Sequence, residues 1–146
     1  MTLKDAIKSS IDLHHPPQAV WDAITTPEGL NQWFGDRVFS TFKVGDPITF
    51  EWDKYGTVSG TIETHEPITC FAYRWRAHGV PEETLMDKAN STLVTFKLTP
   101  TPQGTQLDVI ETGFLQLAPE LRNVSFRENS SGWKSELDEL VALFTR

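Results

Sequence analysis

The residue with the clearest chemical potential is Glu111, a carboxylate in phase with apolar side chains. It follows Leu107 and Val109 at intervals of two, so the alternation of a β-strand directs all three to one inward face. A buried carboxylate must find a partner or take up a proton, and its pKa then rises. In one interpretation Glu111 faces a cavity that holds water or a polar ligand group. In the other, a bulge near Gly113 turns it outward or a nearby arginine neutralises it. In the first case glutamine at 111 would stabilise the empty protein near neutral pH, and with a buried arginine the sign reverses.

A set of large aromatic side chains falls on one predicted sheet face and along the last helix. Aromatic walls suit a flat apolar ligand, and Tyr and Trp add polar edges. Burial of one such side chain contributes about 1.5–3 kcal/mol in any core, so each ring taken alone is explained without a ligand. Their number on one face favours a pocket. The candidates are Trp33, Phe50, Trp52, Tyr73, Trp75 and Phe126.

The inner face of the C-terminal helix changes from polar to apolar along its length. An apolar stripe at helical spacing comprises Trp133, Leu137, Leu140, Val141 and Phe144. One and two turns earlier, the same face carries Phe126, Asn129 and Ser130. This pattern predicts core at one end and a polar pocket at the other, where Glu111, Asn129 and Ser130 orient a ligand. Gly132 is expected to allow close approach of the helix to the sheet, since a mid-helix glycine otherwise costs about 1 kcal/mol.

Signals for catalysis and for metal binding are weak. The chain has no Gly-x-Ser-x-Gly motif, phosphate loop, dinucleotide fingerprint or His-Glu-x-x-His motif. His14 and His15 are adjacent on a predicted strand end, so they point to opposite faces. Cys70 is the single cysteine, which excludes an intrachain disulfide and a multi-cysteine zinc site. We therefore predict no catalytic residue, no metal site and no cofactor.

Composition limits the possible partners and the location. The 146 residues are 38% apolar, which is typical of a globular chain, and we expect one domain over residues 1–146. The formal net charge of −7 disfavours nucleic acids and anionic membrane surfaces. Residues 1–10 contain no apolar signal region, and no stretch is apolar enough to insert into a membrane. We expect a monomer in the cytoplasm.

The elements that must position these side chains begin with a strand and two short helices. Residues 7–13 alternate between apolar and polar types, as in a half-buried strand. Pro17 fits the first position of a short helix. Thr26 fits the cap of a second helix, which has Pro27 at its first position and ends at Gly35.

A meander of alternating segments follows, joined mostly by short turns, which predicts an antiparallel sheet. One shared face is predicted for Val58, Gly60, Ile62 and Thr64. The connection at 77–90 is longer than an ordinary hairpin loop, so we expect a rim or lid there. A helix containing residues 132–143 closes the chain. The fold class is thus α+β, with a curved antiparallel sheet around a long C-terminal helix and two short helices after the first strand.

Short motifs in a fixed order cover nearly the whole chain: WDAITTPEGL at 21–30, WF at 33–34, GD at 45–46, FAYRW at 71–75, GTQL at 104–107, TGF at 112–114 and GW at 132–133. They resemble the START-like (SRPBCC) superfamily, and most closely its branch of homologues of the activator of the heat-shock protein 90 ATPase. The resemblance implies the helix-grip (START-like/Bet v 1-like) fold, with a cavity between sheet and C-terminal helix. The family often has histidine where this chain has Glu111.

Three functions are consistent with these features, because the superfamily hosts carriers, cyclases and co-chaperones. The first is binding of a hydrophobic or aromatic small molecule, such as a lipid or polyketide, in an internal cavity without turnover. The second is a co-chaperone-like role in the stress response, with a chaperone as partner at the outer sheet face or the edge of the two short helices. The third is a polyketide-cyclase-type enzyme with Glu111 as general acid or base.

Overall fold

The computed structural model describes residues 4–145, which form seven strands, three α-helices and one 3-10 turn. The elements are β1 Ala6–Leu13, α1 Pro17–Thr25, α2 Pro27–Leu30, β2 Arg37–Ser40, β3 Pro47–Trp52, β4 Gly56–Glu66, β5 Cys70–Arg76, β6 Ser91–Thr101, β7 Gly104–Thr112, the 3-10 turn Phe114–Gln116 and α3 Pro119–Phe144. All seven described strands join one antiparallel sheet in the order β1-β7-β6-β5-β4-β3-β2. The curved sheet and long C-terminal helix confirm the predicted helix-grip fold.

The two short helices begin where the sequence predicts. Pro17 and Pro27 occupy the first turns of α1 and α2. The Thr26 hydroxyl accepts a hydrogen bond from the Gly29 backbone N–H at 2.9 Å, which satisfies one of the free donors at the start of α2. Gly29 also permits the close contact of the two helices, because a Cβ there would lie 2.2 Å from the Asp22 carbonyl oxygen.

The inward faces of the strands follow the predicted alternation, except in β4. Ile62 pairs with Tyr73, but Thr64 pairs with Ala72, so Glu63 forms a bulge. The extra residue inverts the direction of the side chains that follow. His65 therefore packs on the Trp21 ring, with centroids 5.3 Å apart. The prediction that Thr64 shares the face of Ile62 is wrong for this reason.

Helix α3 packs its apolar stripe against the sheet. Trp133, Leu137 and Leu140 are buried in the main core, and Val141 and Phe144 are partly buried against it. The stripe is thus confirmed. The expectation for Gly132 is wrong, because Gly132 is exposed and a Cβ there would meet no atom within 4 Å. Within residues 4–145, no helix combines the length and apolarity needed to cross a bilayer.

Candidate functional site

A groove of about 680 Å³ lies between α3 and the β3–β5 part of the sheet. Its aromatic wall consists of Phe34, Trp52, Trp75 and Trp133. The other lining residues are Tyr55, Val58, Arg76, His78, Arg127, Glu128, Asn129, Ser131, Gly132, Ser135 and Glu136. The groove is open to solvent, since Tyr55, His78 and Arg127 are exposed. An apolar wall with a polar rim is the usual composition of a small-molecule site.

The space beneath the helix, where the sequence predicts an internal cavity, contains packed rings. Trp33, Phe50 and Tyr73 are almost completely buried there. The Phe50 and Tyr73 ring centroids are 5.1 Å apart, and the Trp33 indole N–H donates to the Ala23 carbonyl oxygen at 2.9 Å. These three residues form core and do not border the groove, so the open groove replaces the expected internal cavity as the candidate site.

The remaining predicted site residues divide between the groove and other places. Trp52, Trp75 and Asn129 border the groove, and their ligand-binding roles stay predictions. Phe126 packs on Phe114 in a separate small cluster, with centroids 5.2 Å apart. The Ser130 hydroxyl donates to the Phe126 carbonyl oxygen at 2.7 Å, inside the helix itself. Neither Phe126 nor Ser130 lines the groove, because Phe126 packs on the 3-10 turn and the Ser130 hydroxyl bonds its own helix.

Glu111 faces inward as predicted and has no exposed surface (0%). Four side chains donate to its carboxylate: Trp133 Nε1 to Oε1 at 2.8 Å, Trp75 Nε1 to Oε2 at 3.0 Å, Thr92 Oγ1 to Oε2 at 2.5 Å, and Asn129 Nδ2 to Oε2 and Oε1 at 2.9 and 3.1 Å. None of the ion pairs among the described residues involves Glu111. Hydrogen bonds to neutral donors therefore satisfy the carboxylate, and the buried arginine considered above is not its partner.

The environment of Glu111 acts on its pKa in two opposing ways. Burial raises the pKa, and the bonds from Thr92, Trp75, Trp133 and Asn129 lower it, with a net rise. The predicted rise therefore agrees with the structure. The hydrogen bonds change the expectation for glutamine at 111, because a glutamine NH₂ in place of one oxygen would face at least one indole or amide donor.

The bonds of Glu111 also orient part of the groove surface. Trp75 and Trp133 direct their N–H groups to the buried carboxylate, while both residues border the groove. Asn129 likewise bonds Glu111 from the groove edge. Glu111 is thus a positioning residue that fixes two rings of the aromatic wall, and it does not itself line the groove.

Glu136 is a groove residue that the sequence analysis missed. Burial, followed by the charges of Glu139 and Asp36, raises its pKa to about 7. The available signal was its position three residues after Trp133, which places it at the edge of the apolar stripe.

A second cavity of about 340 Å³ adjoins the groove beside the start of the 77–90 connection. The two share Tyr55, Val58, Arg76 and His78 in their linings. The two ends of the connection are joined by a bond from the Ala77 N–H to the Asn90 carbonyl oxygen at 2.8 Å. Part of the predicted rim or lid therefore forms a wall of this second cavity.

Comparisons with known proteins identify similar sequences and folds. The model of the family described as Activator of Hsp90 ATPase homolog 1-like protein matches residues 14–145. The crystal structure of protein MLL2253 from Mesorhizobium loti is 27% identical over 97% of each chain, with a TM-score of 0.79. The solution structure of the Aha1 dimer from Colwellia psychrerythraea is 19% identical over 94% of this chain and 93% of that one, with a TM-score of 0.74.

A third similar structure is DynU16, a protein of the dynemicin biosynthetic locus. It is 20% identical over 95% of this chain and 46% of that one, with a TM-score of 0.76. A search of curated protein sequences found no match. The structural likenesses at this level of identity show a shared fold.

Proposed function

The chain belongs to the Activator of Hsp90 ATPase homolog 1-like family, as its motifs predicted, and we propose that it binds a flat hydrophobic small molecule in the open groove without converting it. The observation that carries the proposal is the aromatic wall. Four rings meet at a groove whose volume suits a small ligand, and the Glu111 carboxylate fixes two of them from behind.

The geometry of the wall favours stacking. Phe34 and Trp133 lie nearly parallel, with centroids 5.3 Å apart and planes 13° apart. Trp52 stands at 78° to Phe34 and is only partly buried, so it offers surface to a bound molecule. Rings held in this way lose little freedom on binding, which is favourable for affinity.

Binding without turnover is supported by the position of Glu111. The enzyme alternative requires this carboxyl group as acid or base within reach of a substrate. Both of its oxygens accept hydrogen bonds from the protein's own donors, and Trp75 and Trp133 lie between it and the groove. A carboxylate enclosed in this way serves to orient side chains.

The test is a ¹⁵N-resolved NMR titration with a panel of polycyclic aromatics and fatty acids. We expect shifts at the indole N–H of Trp52 and at Trp75 and Trp133, with substrate and product analysis showing no conversion. Trp52→Ala should weaken binding about tenfold, or about 1.4 kcal/mol, which lies within the range of about 0.5–1.5 kcal/mol for one aromatic pair. Phe39→Ala, an aromatic truncation on β2 outside the groove, is the control. Binding that leaves all three tryptophans unperturbed would contradict the proposal.

Binding of a chaperone is a second candidate, favoured by exposed apolar side chains at the β2 edge of the sheet. Phe39 is 55% exposed and Val44 is 61% exposed, and exposed apolar patches mark interaction sites. The description of the family names the Hsp90 ATPase. Titration with an Hsp90 domain should shift residues 38–44 if this function holds. If these residues shift with the Hsp90 domain and no small molecule shifts the groove tryptophans, the second proposal replaces the first.

A further inference from the structure

Three arginines lie on strands β2 and β5, and one of them has no counter-ion among residues 4–145. Arg37 pairs with Glu51 at 2.7 Å and Asp53 at 2.6 Å, and Arg74 pairs with Glu63 at 3.3 Å. Arg76 takes part in none of the ion pairs of residues 4–145, although it is half-buried. A cation withdrawn from water in this way is costly unless an anion accompanies it.

The Arg76 guanidinium is nevertheless held in one place. Its Nε donates to the Thr84 carbonyl oxygen at 3.0 Å. Its Nη1 donates to the Ser59 carbonyl oxygen at 3.1 Å and to Ser59 Oγ at 3.0 Å. All three acceptors are uncharged, and they leave Nη2 without a bond among the described residues. A fixed guanidinium with a free donor group is well suited to receive an anion.

The position of Arg76 connects this charge to the groove. Arg76 and Ser59 both line the second cavity, and the Arg76 guanidinium bonds Ser59. Arg76 also borders the aromatic groove. Glu82 lines the second cavity as well, but it forms no ion pair with Arg76. The two cavities together thus offer an apolar surface at one end and an unpaired cation at the other.

We propose that the natural ligand of this chain is an amphipathic anion whose flat apolar body lies on the aromatic wall and whose carboxylate or phosphate group enters the second cavity against Arg76. This inference rests on the proposed function of the groove and specifies the class of ligand. The ligand then gives Arg76 the counter-ion that residues 4–145 do not supply.

Four probes that share one ring system test this inference: 2-naphthoate, 2-naphthyl phosphate, 2-naphthamide and 2-naphthylmethylammonium. NMR titration gives a dissociation constant for each. Since a hydrogen bond between two charged groups is stronger than one to a neutral amide, we expect at least one anion to bind about tenfold more tightly than the amide. The ammonium probe should bind most weakly. The stronger of the two anions identifies whether a carboxylate or a phosphate fits the second cavity.

Variants of two neighbouring arginines localise the effect. Arg76→Gln should abolish the preference for the anion over the amide. Arg74→Gln is the matched control on the same strand and should keep the preference. Arg76→Lys retains the positive charge and should keep part of the preference for the anion. In the unaltered protein the preference should also fall as sodium chloride rises from about 20 mM to about 300 mM, because a half-exposed charge is screened.

The outcomes separate this inference from the proposed function. Equal binding of all four probes at Trp52 would overturn the anion site and leave the groove as a general apolar site. A preference that persists in Arg76→Gln, or a preference for the ammonium probe, would also overturn it. If no probe shifts the tryptophans, the groove function fails and the anion site fails with it.

Discussion

The two ends of the contact between α3 and the sheet differ although one helix makes both. Toward its C-terminus, Leu137 and Leu140 are buried, and His15 Nε2 lies 2.7 Å from the Phe144 carbonyl oxygen. Toward its middle, Gly132 and Glu136 border an open groove. The side chains of each turn therefore determine whether α3 packs closely on the sheet or leaves an open surface for ligands. Trp133 stands at the boundary and belongs to both ends.

The largest expected effect is that of Trp133→Ala at this boundary. The ring packs on Phe34 and Phe96, with centroids 5.3 and 5.8 Å apart, and its N–H bonds Glu111. We expect a loss of about 3–5 kcal/mol in the free energy of unfolding, measured by denaturant titration. Trp133→Phe keeps most of the packing and should lose less.

A leucine at the sealed end provides the contrast to Trp133. Leu140→Ala should cost about 2–5 kcal/mol in stability, since Leu140 is fully buried. Its affinity for a naphthalene probe should remain that of the unaltered protein. A change in affinity comparable to that of Trp52→Ala would show that the two ends are not independent.

Glu111→Gln tests the donors beneath the groove. The exchange places an NH₂ group against indole and amide donors, so we expect a loss of about 1–3 kcal/mol of stability. Stabilisation by this variant would show that relief of the buried charge outweighs the lost acceptor. Thr92→Val, which removes a single donor to the same carboxylate, is the control and should cost less.

Gly132→Ala probes the open middle of α3. Gly132 is exposed and has no neighbour within 4 Å of a Cβ, so alanine should stabilise the helix by about 1 kcal/mol. Thermal unfolding measures the change. A destabilised variant would indicate that the helix closes on the sheet at this point in solution.

The smallest expected effect is a pH dependence from Glu136. Its pKa in the folded protein is about 7, above the ordinary value of 4.5, so its contribution to stability is fully present below the ordinary value and is lost as the pH rises through about 7. Glu136→Gln should therefore flatten the fall in melting temperature between these values. Glu111 acts in the same direction, so part of the slope should remain.

Sequence reasoning succeeded where a signal is local. The effects of Pro17 and Thr26 on helix starts, and the alternation of β7, depend only on neighbouring residues in the sequence. The two short helices and the inward direction of Glu111 could therefore be predicted. The bulge at Glu63 could not, because it depends on how β4 pairs with β5. The position of the ligand site was predicted wrongly for a similar reason. Whether Tyr73 or Trp52 is buried depends on how completely rings from distant segments fill the core. Arg76 carried no local signal, since its missing counter-ion is evident only in three dimensions.

The carboxylate of Glu111 also bears on the order of events during folding. Its four donors lie 18 to 36 residues away along the chain, on β5, β6 and α3. The donors can gather only after three strands have paired and α3 has docked, since each long loop must close first. Contacts that form after the rate-limiting step of folding affect mainly the rate of unfolding. We therefore expect loss of this carboxylate to accelerate unfolding and to leave the refolding rate nearly unchanged, so the same group that orients the groove would set the lifetime of the folded molecule.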